Sequence, residues 1–548
     1  MDEKIDHLRE FFNHDHPLGR LQAVSGFNGR EVFRKYFHEE NRPYGQILSQ
    51  PTMIVGRKGA GKTDLLLSHK YSQRQGRNFD PLVYFDDKRA ADTFRTILVK
   101  INRQVNYDEP KPMVEQVAAL WAYLLWLTIF RKIGLEGADS NPDVMKLRDF
   151  TESHGVLEQS IGPYETILRG LISLITAYDK LPEAEQLFGF FQGFERIELS
   201  EVIYPDALAA ADSYLTSSGK KGIILFDSFE QLDVTQEETR LTLSGLLRSL
   251  SQFTSPYRQV EVRCCIPAEA FFRLTEISSN VLKDFQRHTV LHWTATEILQ
   301  LCAKRFAAFL EIEYGRTLRS ITGNDFSLET PDGTQAFWSI FLPKLVPNTH
   351  PDIFEGTLTY LLRHTQLLPR QMIALLNQCF NQHFKDGLTI DDKLRPQSIS
   401  ESVRYTEARL YEEIFVAHNY TWPASRQQIE SVFPSMKSNV FGYGDLHRAF
   451  NKSGAKGFGN VHDFDDYLRM LTEVGAIGRL IKRTNRFIVA QFEYSEPARL
   501  LFNDTDELCI HPCFTRTTHV MGANPSPENY MPVYPLGAQL NDPDRRNI

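Results

Sequence analysis

Short apolar runs separated by longer helical stretches form the main pattern of the first 300 residues. The runs are rich in Val, Ile, Leu and Phe, which favour β-strands. They occupy residues 52–55, 81–85, 222–226, 259–266 and 289–292. Strands that are mostly apolar and alternate with helices indicate a parallel sheet covered on both faces.

The second half of the chain is predicted to be mainly helical. Helices resume after Thr294, which is followed three residues later by Glu297 as in a capping box. Residues from about 315 to 350 are rich in Gly, Asp, Thr and Pro and are predicted to form an inserted loop. Helices continue through 361–384, and a new unit begins near Pro396.

The last predicted unit combines short helices with a hairpin. Phe464, Leu468, Leu471 and Val474 recur at helical spacing, and Gly475 ends that helix. Two strands follow, at 476–481 and 486–494, and helices followed by such a hairpin resemble a winged helix. From about residue 515 the sequence is polar and then proline-rich, which is typical of a poorly ordered tail.

Composition narrows the class of protein. The chain has 548 residues, enough for roughly three or four domains, with 42% hydrophobic and 24% charged residues. The net charge of −8 argues against a protein that coats nucleic acid over its whole surface, although a local basic patch remains compatible with it. The apolar stretch 117–130 is shorter than the roughly 20 residues that span a bilayer, and charged residues follow Met1. We therefore expect a soluble cytoplasmic protein with no membrane contact.

The six cysteines are too few and too scattered for a disulfide framework. Cys509, His511 and Cys513 lie close together, as metal ligands do, but no second ligand pair at zinc spacing accompanies them. An ordinary buried segment is the favoured interpretation.

One segment carries a specific chemical signal. It fits the pattern G-x-x-x-x-G-K-[ST] at every position. Its residues are Gly56, Arg57, Lys58, Gly59, Ala60, Gly61, Lys62 and Thr63. Backbone N–H groups in such a loop turn inward around a phosphate, and the following helix points its positive end at the same anion. Lys62 is predicted to reach the β- and γ-phosphates, and the Thr63 hydroxyl to bind Mg²⁺. Arg57 and Lys58 add positive charge and either touch phosphate or are solvated.

A second strand ends in acidic residues. Asp227 follows the run 222–226 directly, where a carboxylate can hold the Mg²⁺ water shell. Glu230, three residues later, is a candidate for orienting or deprotonating an attacking water, or else a solvated glutamate in the first turn of a helix. Rival acids for that role are Asp86, Asp87 and Asp233.

At these residues the sequence resembles bacterial P-loop ATPases of the STAND and AAA+ type that carry a C-terminal winged helix. The resemblance rests on GRKGAGKT, GIILFDSFEQL, IPAEAFFRL and LHWTATEILQLCAKRF, and spans roughly residues 50–310 and, more weakly, 360–515. It implies an α/β core, a helical lid, and ATP binding and hydrolysis that change conformation or assembly. The AAA+ pattern commonly places Asp and Glu adjacently, whereas Ser228 follows Asp227 here, and Glu230 is closer to the STAND pattern.

Two arginines are candidate sensors of the nucleotide. Arg263 lies inside an apolar strand, where a charge needs a partner, so it either reads the γ-phosphate or pairs with an acid. Arg370 follows Pro369 and resembles the second sensor arginine at the start of a lid helix; the alternative is an exposed arginine.

Four basic residues cluster on the predicted hairpin. They are Arg479, Lys482, Arg483 and Arg486. A basic wing can lie along a phosphate backbone, so DNA is a candidate partner. Packing of the hairpin on the ATPase core is the alternative that we favour.

Together these patterns predict an α/β fold with a P-loop NTPase parallel sheet, a helical insert, a helical lid and a C-terminal winged-helix domain. The expected segments are a helical N-terminus (1–50), the NTPase core (51–293) with its insert (about 91–215), the lid (294–395), the winged helix (396–514) and the tail (515–548). The leading hypothesis is an ATPase that acts as a nucleotide-dependent switch with Mg²⁺ and ATP, together with a protein partner or a second copy of itself. The alternatives are a DNA-engaging AAA+ ATPase, initiator-like or a transposition helper, and a nucleotide-binding protein without turnover. No N-K-x-D motif for guanine stands out, which favours ATP over GTP.

Overall fold

A computed structural model gives the structure of most of the chain. The described residues are 9–21, 53–71, 79–85, 87–108, 112–181, 189–199, 202–227, 237–253, 259–269, 271, 288–322, 327–348, 354–419, 421–457, 459–495, 500–520 and 531–538.

The chain divides into two compact units. Unit 1 contains residues 1–46, 57–64 and 291–548, and unit 2 contains residues 47–56 and 65–290. The division at residue 290 falls close to the boundary that we predicted at 293. The phosphate loop groups with unit 1, whereas the strand before it groups with unit 2. Our finer division of the second half into lid and winged helix stays a prediction.

Unit 2 is built on a parallel five-stranded sheet. Its strands are β1 (Met53–Gly56), β2 (Phe79–Phe85), β3 (Lys221–Phe226), β4 (Val260–Pro267) and β5 (His288–Val290). Their order is β2-β3-β4-β1-β5, and every pairing is parallel. Each strand overlaps a predicted apolar run, so the predicted fold class is confirmed. Because parallel strands share one carboxyl edge, Gly56 and Asp227 both lie at that edge of the sheet.

Helices make up the rest of unit 2, together with a short π-helix at Glu195–Leu199. They are α1 (Lys62–Tyr71), whose first residues belong to the loop, α2 (Asp87–Tyr107), α3 (Val114–Glu136), α4 (Pro142–Ser153), α5 (Pro163–Tyr178), α6 (Gly189–Phe194), α7 (Ile203–Ser218) and α8 (Glu237–Gln252). The residues described between 91 and 215 are thus mainly helical, as predicted.

Helix α3 forms the centre of the unit 2 core. It is apolar on all sides, and Trp121 and Tyr123 have no exposed surface. The indole N–H of Trp121 donates to the carbonyl of Thr242 in α8 at 3.0 Å. The two helices cross closely at Gly245, where a Cβ atom would lie 2.5 Å from Val117.

Among the described helices, α3 is long and apolar enough to cross a membrane by length and composition. Inside the protein, 83% of its apolar window is buried. Its packing is that of a core helix, as the sequence predicted.

The first part of unit 1 after residue 290 is helical. It contains α9 (Ala295–Tyr314), α10 (Leu318–Thr322), α11 (Pro331–Phe341), α12 (Thr357–Arg363), α13 (Pro369–Lys385) and α14 (Pro396–His418), with the antiparallel strands β6 (Leu345–Pro347) and β7 (Phe354–Gly356). Helix α9 begins at the predicted Thr294–Glu297 capping box. The predicted loop at 315–350 is wrong for most of its described residues, because Thr330 caps α11 and Pro331 occupies its first position.

The winged-helix part of unit 1 follows. Its elements are α15 (Ser425–Val432), β8 (Val440–Gly442), α16 (Tyr443–Ser453), α17 (Phe464–Val474), β9 (Ile477–Arg483), β10 (Ile488–Gln491), β11 (Glu507–Ile510), α18 (Pro512–Thr515) and β12 (Val533–Pro535). The predicted helix at 464–474 and the antiparallel hairpin β9–β10 are confirmed. The sheet order is β12-β10-β9-β11-β8.

The segment that we predicted as a tail differs from that prediction at residues 531–538. Strand β12 pairs in parallel with β10 at the edge of the sheet. The Tyr534 hydroxyl donates to Glu355, and Glu355 forms a buried two-point ion pair with Arg363 at 2.7 and 2.8 Å. The other described part, 515–520, has buried residues as well.

Most of the predicted N-terminal helical segment lies outside the described residues. Within residues 9–21, Leu18 and Gly19 are fixed to unit 1 by Asn377 of α13. The Asn377 side chain accepts from the Leu18 N–H at 2.7 Å and donates to the Gly19 carbonyl at 2.9 Å.

Candidate nucleotide-binding site

The phosphate loop connects β1, which ends at Gly56, with α1, which begins at Lys62. Gly59 and Gly61 have φ angles of +91° and +89°, a region that disfavours every residue with a side chain. The Ala60 N–H donates to the Arg57 carbonyl at 3.0 Å, which closes the turn. This succession of backbone conformations forms a concave row of N–H groups that suits an anion.

Donors from the rest of unit 1 hold the carbonyl side of the loop. The Trp293 indole donates to the Ala60 carbonyl at 2.8 Å. The Lys62 amine lies 3.3 Å from the Arg57 carbonyl, and Lys62 is 6% exposed. Because the carbonyl and the next N–H of a trans peptide point in opposite directions, the Trp293 contact turns the Gly61 N–H away from Trp293. The loop is therefore shaped before any ligand binds.

These residues fit a triphosphate with Mg²⁺. The loop supplies N–H groups at a helix N-terminus, a lysine amine within the loop, and a half-buried hydroxyl on Thr63 in the first turn of α1. Phosphate oxygens suit the first two groups, and Mg²⁺ takes oxygen ligands such as the third.

Arg57 is not a solvated loop residue. Its Nη2 donates to Gln366 Oε1 at 2.7 Å, and its guanidinium carbon lies 5.1 Å from the centre of the Tyr494 ring. Both partners belong to the second half of unit 1. The side chain of Arg57 therefore points at protein, and Lys58 is half-buried beside it in sequence.

Arg370 packs against the loop, as a sensor residue would. It is the second residue of α13, and its N–H approaches the Gly59 carbonyl at 3.5 Å. A Cβ atom on Gly59 would lie 3.1 Å from Arg370 Cβ. The alternative of an exposed arginine away from the site does not hold, whereas contact with phosphate stays a prediction.

Asp227 lies directly after β3 at the carboxyl edge of the sheet in unit 2. Its N–H donates to the Phe85 carbonyl of β2 at 3.2 Å, and the residue is 6% exposed. The neighbouring strand thereby fixes the backbone that carries this carboxylate. Its role as a metal ligand stays a prediction.

Arg263 pairs with an acid, one of its two predicted outcomes. Its Nη2 lies 2.7 Å from Glu261 Oε2, two residues earlier on β4, and Nη1 donates to the Val262 carbonyl at 3.1 Å. Glu261 also lies 3.4 Å from Lys221 of β3. A chain of charges thus connects two adjacent strands, and Arg263 has a structural function whether or not it also senses nucleotide.

The other candidate acids lie at the margin of the described chain. Glu230, Asp233 and Asp86 fall outside the described residues, and only the backbone of Asp87, the first residue of α2, is described. The water-activating acid stays a prediction on Glu230.

The group Cys509, His511 and Cys513 has a structural role. Cys513 Sγ contacts the His364 carbonyl at 2.8 Å, and His511 accepts from the Cys513 N–H through Nδ1 and contacts the Thr365 carbonyl through Nε2. Burial lowers the pKa of His511 to about 3. Within the described chain, no group of three metal-ligating side chains is close enough to hold a metal ion.

The basic hairpin is partly engaged with neighbouring side chains. Arg479 donates to Gln491 at 2.6 Å and lies 4.0 Å from Asp506, and Arg483 lies 3.3 Å from Glu507. Arg486 is exposed at the turn. Acidic β11 residues therefore offset part of the charge of the hairpin.

Sequence reasoning missed three residues that hold the loop: Trp293, Gln366 and Tyr494. Trp293 precedes the Thr294 cap and was interpreted as part of the fold alone. Gln366 and Tyr494 carry no local signal, since each acts on a residue that is distant in sequence.

No protein-family model and no curated protein matches the sequence. Three solved structures are similar in fold. The Aeropyrum pernix ORC2 protein in its ADPNP–ADP complexes is 13% identical, with a TM-score of 0.40 over 91% of this chain and 93% of that one. Its ADP form is 14% identical, with a TM-score of 0.30 over 93% and 95%. CDC6P from Pyrobaculum aerophilum is 10% identical, with a TM-score of 0.27 over 89% and 98%.

Proposed function

We propose that this chain is an Mg²⁺- and ATP-binding P-loop ATPase that acts as a nucleotide-dependent switch. The observation that carries the proposal is the phosphate loop, in which a complete G-x-x-x-x-G-K-T motif adopts positive φ angles at Gly59 and Gly61 before α1. Since the three similar structures have TM-scores below 0.5, the proposal rests on this chain's own residues.

Each residue of the site has a proposed role. The loop N–H groups and Lys62 bind the β- and γ-phosphates, and Arg370 contacts the nucleotide from the start of α13. Thr63 and Asp227 are the proposed Mg²⁺ ligands, and bound Mg²⁺ neutralises charge on the phosphates. Glu230 is the proposed acid that orients the attacking water.

The contacts of the loop within unit 1 support a switch. Gly59 packs on Arg370 of α13, Ala60 accepts from Trp293, and Arg57 contacts Gln366 and Tyr494. A ligand that changes the loop conformation therefore acts on residues of both the helical part and the winged-helix part. The partner that reads such a change is proposed to be another protein or a second copy of the chain, in the cytoplasm.

The Lys62→Ala substitution tests ATP binding. Removing the loop amine should abolish binding or weaken it severely, because no other fixed charge replaces it on the β- and γ-phosphates. Isothermal titration calorimetry with Mg²⁺-ATP measures the change, and Lys456→Ala, at an exposed lysine, is the matched control. Unchanged affinity in Lys62→Ala would disprove the loop assignment. Phosphate release by the parent separates an ATPase from a nucleotide-binding protein without turnover.

A second candidate function is a DNA-engaging AAA+ ATPase. The winged-helix elements and the exposed basic residues Arg448 and Lys452 of α16 and Arg486 of the hairpin favour it. Against it, α17 starts with Asp463, Asp465 and Asp466, which would repel a phosphate backbone. Salt-sensitive binding to duplex DNA by the parent protein would favour this candidate over the switch.

A further inference from the structure

Arg57 makes two different kinds of contact, one through its carbonyl and one through its side chain. The carbonyl accepts from the Ala60 N–H and from the Lys62 amine, inside the phosphate loop. The guanidinium contacts Gln366 and Tyr494, outside the loop. A single residue therefore connects the lysine that the ATP site requires with the second half of unit 1.

Gln366 extends this connection to the end of α17. Its Oε1 accepts from Arg57, and its Nε2 donates to the Val474 carbonyl at 2.9 Å. The fit is close, because a Cβ atom on the next residue, Gly475, would lie 2.7 Å from Gln366 Nε2. Both ends of the Gln366 amide are thus used, one on the loop and one on the winged helix.

Tyr494 provides the second contact from the winged-helix side. It follows β10 in a short 3-10 turn, Glu493–Ser495, and is buried. Its ring accepts the guanidinium as a cation–π partner, an interaction that strengthens when it is shielded from water. His511 lies against the Tyr494 ring at 5.8 Å and contacts the Thr365 carbonyl at 3.2 Å, which fixes Tyr494 beside Gln366.

The backbone between Gln366 and Arg370 is constrained. Leu367 has a φ angle of +51°, which is uncommon for a residue with a side chain, and it is buried. Such a conformation persists where the surrounding contacts hold it. Here those contacts are the loop on one side and the winged helix on the other.

We propose that Arg57 is a positioning residue through which the docked winged helix opposes triphosphate binding. The inference rests on the proposed function of the loop. Gln366 and Tyr494 hold the Arg57 side chain, and the Arg57 carbonyl holds the Lys62 amine. Lys62 must leave that carbonyl to reach the phosphates, so ATP binding and winged-helix docking each weaken the other. Such coupling is reciprocal by thermodynamic necessity.

The test compares the affinity of the full chain for a non-hydrolysable ATP analogue with Mg²⁺ in a double-mutant cycle. Arg57→Met and Tyr494→Leu should each bind the analogue tighter, within the range of about 5- to 150-fold that coupling between sites spans. The double variant should gain no more than either single variant, because both remove the same contact. Tyr494→Phe keeps the ring and should bind like the parent, and Arg486→Met controls for loss of positive charge.

A second measurement covers the case in which Tyr494→Leu folds poorly. Hydrogen exchange of the parent should become faster at residues 488–495 when the analogue binds, since the dock is then released. If Arg57→Met and Tyr494→Leu bind the analogue no tighter than the parent, or if exchange at 488–495 slows, the coupling is refuted while the ATP site stands. A parent that binds no analogue refutes the proposed function, and this inference with it.

Discussion

The buried carboxyl of Glu407 should make the stability of unit 1 fall as the pH rises above neutrality. Glu407 lies in α14, is 4% exposed, and its Oε1 is in hydrogen-bond contact with His364 Nδ1. Burial raises the pKa of Glu407 to about 8, and the positive charges of Arg363 and Arg404 offset only part of that shift. Burial also lowers the pKa of His364 well below its usual value. Both groups therefore favour the neutral form in the folded protein.

The sign of the pH effect follows from the direction of the Glu407 shift. A carboxyl with a raised folded pKa stabilises the protein fully below its unfolded pKa of 4.5, and that stability is lost as the pH rises through about 8. Buried histidines with lowered pKa values act in the opposite direction, but only below about pH 6.5. Between pH 6.5 and 8.5 the Glu407 effect dominates, and it amounts to about 2 kcal/mol.

The Glu407→Gln variant isolates this effect. Glutamine has the shape of the protonated carboxyl and also carries a donor for His364 Nδ1, but it does not titrate. At pH 6.5 the variant should be about as stable as the parent. At pH 8.5 it should be more stable by about 2 kcal/mol, because only the parent has to keep a carboxyl protonated. The buried cysteines titrate alike in both proteins, so their contribution cancels.

Urea unfolding at both pH values measures the difference. Hydrogen exchange of peptides from 396–418 reports unit 1 separately from unit 2, which a global probe would not do. Glu401→Gln, at an exposed position of the same helix, is the control and should follow the parent. Parallel pH profiles of the parent and Glu407→Gln would refute the reasoning.

Three other substitutions test the site and the fold. Asp227→Asn should impair Mg²⁺-dependent phosphate release and leave the circular dichroism spectrum unchanged; turnover at the parent rate in saturating Mg²⁺ would exclude its metal role. Gly59→Ala should lower ATP affinity and cost about 1 kcal/mol or more of stability, since its φ is +91°, and parent-like calorimetry would contradict this. Tyr534→Phe should cost about 1.5–3 kcal/mol in urea unfolding, because its hydroxyl bonds the buried Glu355; a loss no larger than in Tyr405→Phe, at an exposed tyrosine, would count against it.

The sheet and the loop could be predicted because their signals are local. Each strand of unit 2 is a run of β-branched and aromatic residues bounded by polar ones, and the loop motif has fixed spacing. The helix at Phe464–Val474 was predictable for the same reason, since its apolar residues recur at helical spacing and Gly475 ends it.

Two predictions were misled by the composition of the segments. Residues 315–350 have the Gly, Asp, Thr and Pro content of a loop, yet Thr330 and Pro331 are start signals of helix α11. The proline-rich end was interpreted as a tail, yet Pro535 lies in β12 at the sheet edge, where a missing N–H costs little. In both segments the position of the proline mattered more than its abundance.

The partners of Arg57 could not be predicted, because they depend on the packing of segments that are far apart in sequence. Gln366 is 309 residues away, and Tyr494 is farther still. Arg263 was more accessible to reasoning, since its partner Glu261 is two residues away on the same strand and therefore on the same face.

Charge on the hairpin decides between the switch and the DNA-engaging candidate. Even if all four basic residues touched phosphates, log–log salt dependence would have a slope of about −3.6, from roughly 0.9 released counterions per contact. Arg479 and Arg483 already lie near Asp506 and Glu507, which lowers that limit. A packing role predicts no salt-dependent DNA binding by the parent, and reversal of Arg479, Lys482, Arg483 and Arg486 to Glu should instead lower thermal stability or change the ATPase rate. A fluorescence titration with duplex DNA at several salt concentrations tests this. Tight binding with a steep slope that disappears in the reversal variant would establish the hairpin as a DNA contact and overturn our preference for packing.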